Sequence, residues 1–143
     1  MRRALLTAVV FCALSVACGK FRKNRECTDL AQKVNAFIDE SNRGNSPTYA
    51  NSPEVVRESR RLAERYKKLS VELFTLGIET DELAPHVEAY RKLAEQAATA
   101  LEGAAVALEK QDLELARTRR KDFDRAAKQE PALVKTINDV CSR

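Results

Sequence analysis

The chain has 143 residues, a formal net charge of +4, 32% charged residues and no tryptophan. Arg2 and Arg3 belong to an N-terminal segment that stands apart from the rest, and without them the remainder is near neutral. The basic balance is therefore no argument for a nucleic-acid partner, and the roughly 125 residues that remain have room for one domain with a modest core.

That segment begins with Arg2 and Arg3 and continues as an apolar run from Ala4 to Val16, interrupted only by Thr7 and Ser15. A run of about a dozen apolar residues fits the core of a signal peptide and falls short of the ~20 that a membrane-spanning helix needs. Residues 1–17 read as a signal peptide. The sequence Leu14-Ser15-Val16-Ala17-Cys18 at its end resembles the lipobox of bacterial exported lipoproteins. That resemblance implies cleavage before Cys18, a diacylglyceryl group on Cys18, and a membrane-anchored protein facing the periplasm. If the sorting pattern of enteric bacteria applies, Gly19 after the cysteine implies the outer membrane. Ser15 stands where a lipobox usually has leucine, and Ser15 with Ala17 also satisfies the small-x-small rule of ordinary secretory cleavage. A secreted or soluble periplasmic protein is thus the alternative. Cysteine parity favours the lipid: Cys12 leaves with the signal, and Cys18, Cys27 and Cys141 are an awkward odd number in an oxidising compartment unless one is modified.

Residues 18–25 read as a lipidated, basic tether, and residues 26–143 as a single helical domain. The first helix is expected over about 26–42, with Leu30, Val34 and Phe37 on one face. Arg43-Gly44-Asn45-Ser46-Pro47 ends it, and a loop carrying Tyr49 leads to Ser52-Pro53, a cap and first-turn proline. The second helix, about 53–76, places Val55, Ser59, Leu62, Tyr66, Leu69, Leu73 and Leu76 on one stripe. Gly77 is suited to a left-handed stop. The third, about 81–111, keeps the rhythm for four heptads from Leu83 through Val87, Tyr90, Ala94, Ala97, Leu101 and Ala104 to Leu108. Such a run is coiled-coil-like and predicts helix–helix packing. Only Gln111-Asp112 marks a break before the fourth helix, about 113–142. Its stripe runs Ala116, Arg120, Phe123, Ala127, Glu130, Val134, Ile137 and Cys141, with Pro131 expected to bend the helix without breaking it.

Cys27 is in phase with the first stripe and Cys141 with the last, so both point inward. An up-down-up-down arrangement brings these two ends to one pole, whereas three helices would separate them beyond the ~4.4–6.8 Å between Cα atoms that a disulfide needs. The expected fold is an all-α, antiparallel four-helix bundle with a short first helix, a proline-kinked last helix and a Cys27–Cys141 bridge. Such a bridge could add up to about 5 kcal/mol of stability.

The inventory of chemical groups is sparse. His86 is the only histidine. No Glu-x-x-His pair, Cys-x-x-Cys-His, glycine-rich phosphate loop or nucleophile elbow is present, so no catalytic residue, metal ligand or cofactor site is assigned. The run from Arg117 to Lys121 is interrupted by Asp122 and Asp124 and reads as a solvated face. Two charges sit on the last stripe, Arg120 and Glu130. They could line a polar cavity, or they could snorkel and pair with neighbours. A short first helix would leave the pole opposite the cysteines without a fourth wall, where the loop bearing Tyr49 could cover a groove. Tyr49, Arg120 and Glu130 are accordingly the candidate ligand-binding residues. The expected function is a non-enzymatic cell-envelope lipoprotein, an interaction or structural module with an envelope partner. The alternative is a periplasmic small-ligand binder or sensor using the open end of the bundle.

Overall fold

Four helices make up the computed structural model: α1 (Arg2–Asn42), α2 (Pro53–Thr75), α3 (Ala84–Glu109) and α4 (Leu113–Cys141). Backbone is described for residues 2–42 and 53–143, and side chains from Gly19 to Ser41 and from Pro53 onward. Tyr49 lies outside the described residues. No strand occurs among those that are described.

Local chemistry accounts for most boundaries. Pro53 opens α2 with a fixed φ and no wasted N–H, and Glu54 in the first turn complements the positive end of the helix dipole. Gly77, at φ 58°, takes the left-handed conformation that ends the helix. Residues 81–83 are a turn, so α3 begins at Ala84 and not at 81; the N–H groups of Leu83 and Ala84 both donate to the Thr80 carbonyl at 2.9 Å. Between α3 and α4 the break falls at Gln111-Asp112. Gln111 is left-handed at φ 59°, and the Asp112 carboxylate accepts the Leu115 N–H at 3.0 Å as an N-cap. α4 continues unbroken through Pro131.

Successive helices are antiparallel, as the pairs between them show. Arg22, Lys33 and Glu40 on α1 meet Glu79, Glu72 and Lys68 in descending order. Arg60 of α2 reaches Glu109 of α3 at 2.7 Å, and Ser70 reaches Glu95. Tyr90 of α3 meets Glu130 of α4. α3 is the spine. It packs along its length against both α2 and α4, burying Val87, Tyr90, Leu93, Leu101 and a series of alanines that includes Ala94, Ala97, Ala98 and Ala105. Its buried face is therefore wider than a single stripe, and small side chains let two neighbours approach closely.

α1 joins this three-helix unit through α2 and touches α4 mainly at the pole where Cys27 and Cys141 are bonded, with Cα atoms 5.8 Å apart. It differs from expectation at its beginning. Residues 18–25, expected as a tether, are helical, and the helix extends back to Arg2. Arg22 pairs with Glu79 at 3.2 Å and Lys23 with Glu82 at 3.3 Å, which holds this turn against the α2–α3 connection. With 41 residues α1 is the longest of the four helices and not the short one expected, although its other end falls at Asn42 as expected. Phe37 meets Tyr66 and Glu40 pairs with Lys68 near this end, so the first turns of α2 from Pro53 extend past it.

The tie that the sequence did not reveal is Glu26. Only 6% exposed, its carboxylate accepts the N–H of Glu79 at 3.1 Å and of Thr80 at 3.2 Å, capping the turn before α3 from a different helix. Burial pushes the pKa of this carboxyl up. Hydrogen bonding from Thr80 and Glu79, with the nearby Arg22 charge, outweighs burial and holds it below the ordinary 4.5.

Two outcomes follow. Because the folded pKa of Glu26 is depressed, its contribution is fully present above the ordinary carboxylate range and is lost as pH falls through the folded value. Urea unfolding between pH 7 and pH 3 should show a steeper acid limb for the native chain than for Glu26→Gln, and Glu26→Ala should cost about 1.5–3 kcal/mol at pH 7. A left-handed glutamine is strained by roughly 1 kcal/mol relative to glycine. Gln111→Gly should therefore raise the unfolding free energy by about 0.5–1 kcal/mol in the same assay.

Candidate functional site

Between α2, α3 and α4 a half-buried carboxylate is clasped by two phenols. Glu130 lies on α4 directly before Pro131. Tyr90 of α3, with no exposed surface, donates its OH to Glu130 Oε1 at 2.6 Å. Tyr66 of α2 donates to Oε2 at 3.3 Å. The Tyr66 ring is itself wedged between helices, 4.8 Å from Phe37 of α1 and 6.0 Å from Phe123 of α4 between ring centroids. One phenol thus links all four helices, directly or through Glu130.

The electrostatics keep both phenols in their protonated form. Burial, reinforced by the Glu130 charge and hydrogen bond, pushes both tyrosine pKa values far above their ordinary value. Both phenols stay protonated donors across the physiological range, and each carboxylate oxygen has a donor. Such an arrangement serves as a polar knot that fixes helix register.

Arg120 does not join it. The buried positions of α4 are Ala116, Ala126, Ile137 and Val140. At 100° per residue, Arg120 falls about 100° from the centre of that face, while Glu130 falls close to it. The expected stripe is centred about 55° from the observed one, and that offset is what placed Arg120 on the inner face. In the structure its guanidinium pairs with Asp124 at 3.2 Å and lies 5.4 Å from the Phe123 ring centroid. It is also about 15 Å from Glu130 along the helix axis. The candidate set of Tyr49, Arg120 and Glu130 is not brought together among the described residues.

The bundle surface carries open grooves elsewhere. At the pole opposite the disulfide, Pro53, Val56, Leu108 and Leu113 with Arg57 and Glu109 line a groove of ≈ 700 Å³. It lies at the end where a groove was expected, with neither Arg120 nor Glu130 in its wall. A polar groove of ≈ 510 Å³ runs between α3 and α4, with Lys92 and Gln96 facing Arg119 and Arg125. Gly103 makes room there for Arg119, whose Cδ would lie 3.1 Å from a Cβ at that position. Among the described residues no group of three or more His, Cys, Asp or Glu side chains could hold a metal ion.

The partners of Glu130 were within reach of the sequence. A tyrosine on a buried stripe needs somewhere to put its OH, and Tyr66, Tyr90 and Glu130 each lie on a stripe of a different helix. No local pattern pairs them, because their separations of 64 and 40 residues carry no periodic signal.

No protein-family model, curated protein or solved structure matches the chain.

If the clasp is a structural knot, Tyr90→Phe should destabilise the bundle by about 1–3 kcal/mol, through the carboxylate oxygen it leaves without a donor. A double-mutant cycle of Tyr90→Phe with Glu130→Leu, read by urea unfolding, should return a coupling of about 1–2 kcal/mol. Additive costs would show that the hydrogen bond contributes nothing to stability.

Proposed function

We propose that this chain is an exported lipoprotein that presents a non-enzymatic helical bundle from a membrane to an envelope partner. The observation that carries the reading is the pairing of Cys27 with Cys141. Cleavage after Ala17 then leaves Cys18 as the one unpaired cysteine, at the new N-terminus, in the position a lipobox reserves for the lipid. The non-enzymatic part rests on the absence of any recognised catalytic set in the sequence, together with a half-buried acid, Glu130, whose two oxygens already accept hydrogen bonds from Tyr66 and Tyr90. The interaction role draws on Val71 and Phe74, 61% and 73% exposed one helical turn apart on α2, where burial in a complex would be favourable.

A second reading has its own observation. The ≈ 700 Å³ groove at the far pole combines apolar walls with Arg57 and Glu109 at its edge, a composition suited to a small amphipathic ligand.

Expression of the full chain in a bacterial host tests the first reading. Mass spectrometry of the N-terminal peptide from the membrane fraction should find Cys18 carrying a diacylglyceryl group, and Cys18→Ser should abolish that modification and retention in the membrane fraction. An unmodified Cys18 on a soluble chain would sink the lipoprotein reading and leave the secreted alternative.

A further inference from the structure

We propose that the first turns of α1 form a lipid-contact face, in which Phe21 inserts at the headgroup boundary of the membrane and Arg25 reaches its phosphates. This deepens the lipoprotein reading above and rests on it.

Phe21 is 75% exposed, more than Phe74, Val71 or the other exposed large hydrophobics. Nothing in the bundle covers it, and its direction explains why. Glu26, Leu30 and Phe37 are buried against the rest of the bundle. Phe21 precedes Leu30 by nine residues, which at 100° per residue places it about 180° away, on the outer side of the helix. Arg25 follows it by one turn on the same outer side.

The helical state of residues 19–25 turns this exposure into a placement. In a flexible tether, Phe21 would sample all directions. Here α1 runs continuously through Cys18 and Gly19, so Phe21 lies one turn, about 4.5 Å along the axis, from the cysteine that would carry the lipid. The cations of this stretch divide into two groups. Arg22 and Lys23 are held by Glu79 and Glu82 and fasten the turn to the bundle. Lys20 and Arg25 make no ion pair among the described residues and remain available to lipid phosphates.

An outward aromatic ring with an arginine beside it, one turn from an acyl anchor, matches the amphipathic boundary of a bilayer. The ring replaces water with acyl and glycerol surface, and the guanidinium snorkels to the headgroups. The acyl chains would supply the affinity. The Phe21 contact would set orientation, because α1 is fixed to the bundle by Glu26 and by the Cys27–Cys141 bond.

The absence of tryptophan makes this directly measurable. Phe21→Trp and, at the far pole, Leu115→Trp each introduce a single fluorophore at an exposed position that the core does not use. The full chain, purified from a bacterial membrane fraction, is reconstituted in phosphatidylethanolamine–phosphatidylglycerol vesicles and floated. Emission at position 21 should be blue-shifted and quenched by brominated lipid, while position 115 should be quenched by aqueous acrylamide. If the chain floats but position 21 is as open to acrylamide as position 115, the lipid-contact face is overturned and the anchor stands. A blue shift without bromolipid quenching would place the residue against protein, in a second copy or a partner, and also overturns it. A chain that does not float removes both this proposal and the reading beneath it.

Discussion

Close approach of α2 and α4 to the alanine-rich face of α3 is the constraint on which the other contacts depend. Large side chains along Ala94, Ala97, Ala98 and Ala105 would hold the neighbouring axes apart, and Tyr66 and Tyr90 could not both reach Glu130 from different helices. The polar clasp is possible because the apolar packing around it is tight. The dependence also runs in the other direction. A carboxylate that needs two specific phenols tolerates few alternative registers of three sliding helices, whereas alanine against alanine discriminates poorly between one register and the next.

α1 is attached by a different logic. Its contact with α4 is sparse, and its contribution to the core is a single stripe of Leu30, Val34 and Phe37. What fastens it is a set of individually specific ties near one pole: the disulfide, the two N–H groups on Glu26, and the ion pairs of Arg22 and Lys23. Exposed ion pairs contribute little each. The buried carboxylate and the covalent bond carry the attachment, and both lie within one turn of each other at residues 26 and 27.

Periodicity and punctuation made most of this architecture legible. Ser52-Pro53, Gly77 and Gln111-Asp112 each act through a local backbone preference, so their meaning survives without tertiary context. The phase of Cys27 and Cys141 was readable for the same reason, and the parity of helices gave it a spatial consequence. The failures have a common cause. Residues 19–25 lack an apolar stripe, and their helix is held by acids more than fifty residues away. Glu26 looks like an ordinary surface acid until the turn before α3 is placed over it. Arg120 was placed inward by a stripe about 55° out of phase, and an offset of that size moves a residue at the stripe's edge from wall to solvent. Glu130 sat nearer the centre and kept its place, although its two partners could not be read from any spacing.

The bond between Cys27 and Cys141 spans a sequence separation of 114 residues and joins two helices at the pole where α1 enters the bundle. For mechanical load it is a short circuit. Tension applied between Gly19 and Arg143 passes from the first turns of α1 through the sulfur atoms to the last turn of α4. None of the force need cross the α2–α3 or α3–α4 seams, and the extensible length is confined to the few residues outside the bond. A pull at the N-terminal side could strip those turns from Glu79 and Glu82 while the clasped interior remained unloaded.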